Sequence, residues 1–157
     1  MTPDHGKNAK FATVHIATTP EERELCLSVR YEVFVDEQKV PIDEELDAYD
    51  DVAVHFLARL GSDSQAVGTA RLIVLPNGHG KVGRVAVRRD FRRYGVGATI
   101  MAALENSARE SGLSLLILDA QLHAIAFYQK LGYRVYGPVF LDAGIEHRAM
   151  DKTLEPN

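Results

Sequence analysis

The segment that most constrains the fold is the run VAVRRDFRRYGVGA at residues 85–98. Its β-branched start predicts a strand, and its end predicts a helix that begins at two closely spaced glycines, Gly95 and Gly97. Glycine lets the main chain approach a ligand without a Cβ in between. The first turn of a helix exposes unpaired N–H groups at the positive end of the helix dipole. A strand, a glycine-containing turn and a helix in this order predict an anion site suited to a pyrophosphate.

Charge is unevenly distributed along the chain. Residues 81–93 carry six basic side chains against one carboxylate, which suits an anionic ligand, and residues 35–51 carry eight carboxylates against one lysine. We expect most carboxylates of residues 35–51 to be solvated, in a loop with one helical turn that could attract a cationic ligand. The net charge of −4 argues against a general nucleic-acid surface.

Hydrophobic periodicity predicts an α/β fold with a mixed sheet of about six to seven strands and helices on both faces. Thr19-Pro20-Glu21-Glu22 predicts a capped helix start. The almost continuously apolar run from Leu113 to Asp119 predicts a central strand that is covered on both sides. Further strands are predicted at residues 11–18, 52–60, 66–75, 81–87, 133–141 and 146–154, and further helices at 98–110 and 124–131.

Length and composition predict one domain at residues 11–157, after a flexible N-terminal tail at residues 1–10. The single cysteine, Cys26, cannot form an internal disulfide, which favours the reducing cytoplasm. No apolar run approaches the about 20 residues that a bilayer span needs, so no membrane association is expected.

Several common site motifs do not fit this sequence. GHGKVG at residues 78–83 matches the dinucleotide-binding pattern, but a predicted strand follows it where that pattern needs a helix. No phosphate-binding G-x-x-x-x-G-K-[ST] and no G-x-S-x-G nucleophile motif is present. The six histidines lack metal-ligand spacing, so no metal is predicted.

The remaining motifs occur in one order: R-x-x-G-x-G at residues 92–97, an apolar strand behind it, and AIAFYQKLGYRVYG at residues 124–137. In this combination the chain resembles the GCN5-related N-acetyltransferase (GNAT) superfamily. VRYEVFVDEQKVP at residues 29–41 and FLDAGIEHRAM at residues 140–150 make it similar to the YjcF/ElaA-type subgroup. The resemblance covers nearly the whole chain and implies the GNAT acyl-CoA N-acyltransferase fold.

The resemblance also implies roles for individual residues. Tyr128 would donate a proton to the departing coenzyme A thiolate, and the Arg92 side chain would assist in binding the pyrophosphate. Gln121 stands where the family often has asparagine and could contact the pantetheine arm. Main-chain groups would bind the pantetheine at Val85, Ala86 and Val87, and the pyrophosphate at Arg93, Tyr94, Gly95, Val96, Gly97 and Ala98.

An amine must be neutral to attack a thioester, so a group that accepts its proton is needed. We predict Glu37, because it follows the first helix, where the superfamily usually places acceptor-binding residues. Arg71 and Arg84 are predicted to line the acceptor cleft or to pair with residues 35–51, which we call the acidic segment. The other candidates for the base remain open: Glu44, Glu45, Asp47, His55, His123 and His147.

The expected function is N-acetylation of a small amine by acetyl-CoA, through direct attack in a ternary complex. Two alternatives remain: a non-catalytic acyl-CoA-binding module, and an N-acetyltransferase that acts on proteins. The C-terminal hairpin could pair two subunits as a homodimer.

Overall fold

The computed structural model describes residues 12–61 and 64–156. They form one seven-stranded sheet in the order β1-β2-β3-β4-β5-β7-β6. The strands are β1 (Thr13–Ile16), β2 (Val54–Leu60), β3 (Gln65–Val74), β4 (His79–Val87), β5 (Leu115–Gln121), β6 (Arg134–Asp142) and β7 (Ile145–Thr153). The helices are α1 (Pro20–Arg30), α2 (Ile42–Glu45), α3 (Val96–Glu110) and α4 (Ile125–Lys130).

The predicted mixed α/β sheet is confirmed. Strands β1 to β4 pair antiparallel in sequence order, α3 connects the parallel pair β4 and β5, and β7 inserts between β5 and β6. Most predicted elements agree with the structure to within about two residues. The predicted tail at residues 1–10 and Phe11, the predicted start of the first strand, lie outside the described residues.

Helix α1 begins at the predicted capping box. The Thr19 side chain accepts a hydrogen bond from the main-chain N–H of Glu22, and the Glu22 carboxylate accepts one from the main-chain N–H of Thr19. At its other end the helix continues as a π-helical segment, Tyr31–Glu37, which the periodicity of the sequence did not indicate. Such wider turns are frequent at functional sites.

Both faces of the sheet are covered by helices. On one face, which we call the α3 face, Ile100 and Leu104 of α3 belong to the same buried cluster as Leu118 of β5. On the other face, the α1 face, Val29 of α1 is buried with Leu57 of β2. Because side chains alternate along a strand, each residue of the central strands can be assigned to one of the two faces.

A gap opens between β4 and β5. Their parallel pairing is limited to His79–Lys81 and Leu115–Ile117, although both strands continue. Beyond the pairing, a bulge in β4 places Arg84 and Val85 opposite the single residue Ala70 of β3, and Arg84 adopts a left-handed φ of 53°. A bulge bends its strand, so β4 turns away from β5 at this point.

No helix in the part of the chain that the structure describes is long and apolar enough to cross a membrane.

Candidate active site

The gap between β4 and β5 opens into a cleft of about 470 Å³. Its wall combines β4 and β5 with Tyr128 of α4, the acidic segment after α1 and the hairpin between β6 and β7. Residues from distant parts of the chain therefore meet where the sheet separates.

Tyr128 reaches this cleft from the α3 face. It is 8% exposed and belongs to the cluster beneath α3. The rings of Phe127 and Tyr133 contact it edge-on, with centroids 5.0 Å and 5.7 Å away. Burial raises the pKa of the Tyr128 phenol above its usual value, because the charged phenolate is poorly solvated there. The hydroxyl therefore stays protonated at neutral pH.

The main chain of β4 lies along the cleft. Val85 lines the cleft directly, while Ala86 and Val87 pair with β3 on the other edge of the strand. Since the pairing of β4 with β5 ends at Lys81, the β5-facing edge of residues 82–87 has no strand partner among the described residues. An extended ligand can add to such an edge by main-chain hydrogen bonds.

The turn before α3 contains two residues with a left-handed main-chain conformation. Arg93 has a φ of 67° and Gly95, which caps α3, has a φ of 82°. No side chain caps the helix, and its first turn contains Val96, Gly97 and Ala98. A Cβ on Gly97 would lie 3.1 Å from Phe127 Cζ, so this glycine is also needed for close packing beside α4.

Arg92 and Glu37 bind each other. The two terminal guanidinium nitrogens of Arg92 donate to the two Glu37 carboxylate oxygens at 2.7 Å each, and Nε donates to the carbonyl of Val87 at 2.8 Å. The hydrogen bond from Arg92 holds the pKa of Glu37 below its usual value. Glu37 lies in a second depression beside Arg89 and is not among the residues that line the cleft.

Gln121 lies on the wall of the cleft at the end of β5. Its amide nitrogen donates to Gln38 Oε1 at 2.9 Å. Gln38 follows the π-helical segment, so this bond joins that segment to β5 beside the cleft.

Most of this acidic segment was expected to be solvated, but besides Glu37 three further carboxylates, Glu45, Asp47 and Asp50, pair with arginines. We call these three carboxylates and their arginine partners the arginine–carboxylate cluster. Arg30 is 1% exposed and Glu45 is 3% exposed, and their side chains are 3.0 Å apart. The further pairs are Arg30–Asp50 at 2.7 Å, Arg71–Asp47 at 2.7 Å, Arg71–Asp50 at 2.8 Å, Arg84–Glu45 at 2.7 Å and Arg84–Asp47 at 3.3 Å.

The cluster changes the electrostatics that the sequence indicated. Its three arginines neutralise its three carboxylates, so the acidic segment attracts cations less than its composition suggests. Burial opposes ionisation of Asp50, but hydrogen bonds and positive charge from Arg30 and then Arg71 outweigh it and lower the pKa of Asp50. Glu44 and Asp142 line the cleft, are exposed, and have no ion-pair partner among the described residues.

The three candidate histidines differ in their contacts. His55 Nε2 donates to the carbonyl of Asp50 at 2.9 Å beneath the cluster. His123 is exposed on the cleft wall. His147 also lines the cleft but is 8% exposed, and its Nδ1 lies 2.7 Å from the carbonyl oxygen of Ile145. The alternation of residues along the predicted strands did not distinguish His147 from the other two histidines.

Among the described residues, no group of three or more His, Cys, Asp or Glu could hold a metal ion.

Comparison with known proteins supplies the family context. A family model described as "Acetyltransferase (GNAT) domain" matches residues 17–154. The uncharacterized N-acetyltransferase YjcF of Bacillus subtilis is 42% identical over 138 residues, which is 87% of this chain and 96% of that protein.

Solved structures show the same fold. An acyl-CoA N-acyltransferase from Pseudomonas aeruginosa superposes with a TM-score of 0.76 at 29% identity, over 90% of this chain and 97% of that chain. ElaA of Escherichia coli superposes with a TM-score of 0.78 at 23% identity, over 90% of this chain and 99% of that chain.

Proposed function

From the finding that this chain belongs to the GNAT family and is an N-acetyltransferase, we propose its two substrates. The acetyl donor would be acetyl-CoA, and the acceptor would be a small amine. The amine would attack directly in a ternary complex. The observation that carries the proposal is the gap between β4 and β5, which places the unpaired edge of β4 and the Tyr128 phenol in one cleft.

We base the proposed acetyl-CoA site on the main-chain geometry of β4 and of the start of α3. The free edge of β4 at Val85–Val87 would bind the pantetheine arm, and the amides from Arg93 to Ala98 would bind the pyrophosphate. The uncapped start of α3 supports this, because the first N–H groups of a helix without a side-chain cap need acceptors. When bound, acetyl-CoA supplies an acetyl group that its thioester has activated. The predicted help from Arg92 would require its guanidinium to exchange Glu37 for phosphate oxygens.

Tyr128 is proposed as the residue that stabilises the leaving thiolate. A thiol has an ordinary pKa of about 8.5, below that of any phenol whose pKa burial has raised. Complete proton transfer from the Tyr128 phenol to the coenzyme A thiolate is therefore unfavourable. A hydrogen bond from the phenol that strengthens as charge develops on sulfur is what this group can provide.

The two faces of the sheet support a ternary complex. Tyr128 approaches the gap from the α3 face. Arg71 and Asp119 alternate with residues of the α3-face cluster and therefore lie on the α1 face. An acceptor can enter from the α1 face while the donor occupies the β4 edge. The unpaired carboxylates of Glu44 and Asp142 on this side favour an amine with positive charge.

Two measurements test the proposal. Isothermal titration should detect binding of acetyl-CoA. Release of coenzyme A thiol should follow addition of one or more small amines from a panel of polyamines, amino sugars and amino acid amides, with peptides included for comparison. Absence of binding at millimolar acetyl-CoA would refute the donor site. Tight binding of acetyl-CoA without thiol release for any amine would favour the non-catalytic acyl-CoA-binding module. Thiol release only with peptides would favour an acetyltransferase that acts on proteins.

Two further expectations stay predictions. A homodimer formed through the C-terminal hairpin would appear in sedimentation analysis. The cytoplasmic location rests on the single cysteine, Cys26, which is buried and unpaired.

A further inference from the structure

The acceptor side of the cleft contains few groups that could take a proton. On β5, Leu118 and Ala120 belong to the α3-face cluster, so Asp119 and Gln121 lie on the α1 face. His147 pairs directly with Gln121 across the antiparallel β5–β7 ladder and shares its face. The acceptor would therefore meet His147 on the side from which it enters.

Most of the carboxylates near this face are already engaged with cations. Asp47 is bound by Arg71 and Arg84 within the arginine–carboxylate cluster. Asp119 lies 3.1 Å from Lys81. A carboxylate held by a cation is a poor base, because protonation would sacrifice the ion pair. Glu37 is engaged in the same way with Arg92 and does not line the cleft.

Among the described residues that line the cleft, four candidates remain without a cation: His147, His123, Glu44 and Asp142. His123, Glu44 and Asp142 are exposed, and no contact fixes their side chains among the described residues. The imidazole of His147 is fixed twice. It stacks on the Phe140 ring with centroids 5.8 Å apart and an interplanar angle of 23°, and its Nδ1 contacts the carbonyl of Ile145. A base that is held in one orientation is the more effective catalyst.

The contact with Ile145 also determines which nitrogen can act as the base. A carbonyl oxygen only accepts hydrogen bonds, so Nδ1 must carry the proton and donate it at 2.7 Å. In the neutral ring Nε2 then keeps its lone pair. Since His147 lines the cleft, this nitrogen is the group available to an acceptor amine.

We propose that His147 is the general base of the reaction, an inference that rests on the proposed acetyl transfer. As the amine nitrogen bonds to the thioester carbonyl carbon, Nε2 of His147 takes the proton that this nitrogen loses. The carbon–sulfur bond then breaks, and coenzyme A leaves as a thiolate that Tyr128 stabilises. The proton passes from the imidazolium to solvent, and the thiolate is protonated in turn.

The tautomer can be tested without any acceptor. Spectra of the protein labelled with ¹⁵N-histidine, with the His147 signals identified by their loss in His147→Asn, should show Nδ1 protonated and Nε2 unprotonated in the neutral ring. A neutral ring with its proton on Nε2 would overturn the proposal. The tautomer can be determined even if no amine in the panel is acetylated. Absence of acetylation would refute the proposed function and would leave the result on the tautomer unchanged.

Turnover supplies the second test. In His147→Asn the amide can still donate to the Ile145 carbonyl, but no group replaces Nε2. We expect acetyl-CoA affinity close to that of the wild type, turnover lower by about 10²-fold or more, and partial rescue by added imidazole. His79→Asn is the matched control and should keep nearly wild-type turnover, because His79 at the start of β4 does not line the cleft. Wild-type turnover in His147→Asn would overturn the proposal, as would a loss that imidazole does not restore in a variant that still folds and binds acetyl-CoA.

Discussion

Arg92 and Glu37, 55 positions apart in the sequence, are joined by two hydrogen bonds of 2.7 Å. The pair connects the turn before α3 to the end of the π-helical segment. Because Arg92 also donates to the carbonyl of Val87, the proposed pyrophosphate and pantetheine sites are held in one arrangement. Two residues for which the sequence suggested separate roles are therefore each other's partners.

Glu37→Gln should separate a structural role of this carboxylate from a catalytic one. We expect a loss of at most about 1 kcal/mol in the free energy of unfolding, because water screens a pair whose Arg92 side chain is 36% exposed. Turnover at saturating acetyl-CoA should stay close to the wild-type value, since Glu37 does not line the cleft. Urea unfolding and steady-state kinetics measure both quantities. A hundredfold fall in turnover would identify Glu37 as the base.

Tyr128→Phe removes one hydroxyl and preserves the aromatic packing against Phe127 and Tyr133. We expect unchanged acetyl-CoA affinity by calorimetry and turnover lower by about 10²-fold, because the leaving thiolate loses its hydrogen-bond donor. Tyr136→Phe is the matched control, since Tyr136 is exposed on β6. Equal turnover in the two variants would remove Tyr128 from the chemistry.

Gly97→Ala should disturb the start of α3 through packing. The new Cβ would lie 3.1 Å from Phe127 Cζ, which is closer than carbon atoms normally pack. We expect a loss of about 1–3 kcal/mol in the free energy of unfolding and weaker acetyl-CoA binding, because overpacking shifts the turn. Adding Phe127→Leu should recover much of the loss. If the double variant is no more stable than Gly97→Ala, the contact with Phe127 is not the cause.

The arginine–carboxylate cluster predicts how stability depends on pH. The pKa values of Asp47 and Asp50 are lowered in the folded protein. Their contribution to stability is therefore complete above the unfolded pKa of about 3.9 and is lost as the pH falls toward the folded values. We expect the free energy of unfolding, measured with urea, to decrease steeply below about pH 4.

Asp50→Asn should reduce this acid dependence and lower stability at neutral pH, because Arg30 stays buried with one partner fewer. Asp43→Asn is the control, since Asp43 is exposed and has no ion pair among the described residues. Parallel pH profiles of the wild type and Asp50→Asn would show that the cluster does not contribute to acid unfolding.

Local patterns were enough to predict individual elements of the fold. The capping box at Thr19 and Glu22 was confirmed at the start of α1, and α3 begins directly behind the glycine turn at Gly95. Hydrogen bonds between neighbours in the chain and the alternation of apolar residues produce these features, so they can be read from the sequence. The site roles of the turn and of Tyr128 stay predictions.

The pairing of charged and polar side chains depended on contacts that no local pattern encodes. Arg92 could pair with many carboxylates, and only the packing of the π-helical segment beside the turn selected Glu37. The same holds for Arg71 with Asp47, and for His147, whose tautomer depends on a carbonyl exposed by the β6–β7 hairpin. The sequence by itself determined the order of the strands and helices and the turn conformation that glycine permits. Tertiary structure decided which charges are paired and which nitrogen is free, because both depend on distances between residues far apart in the chain.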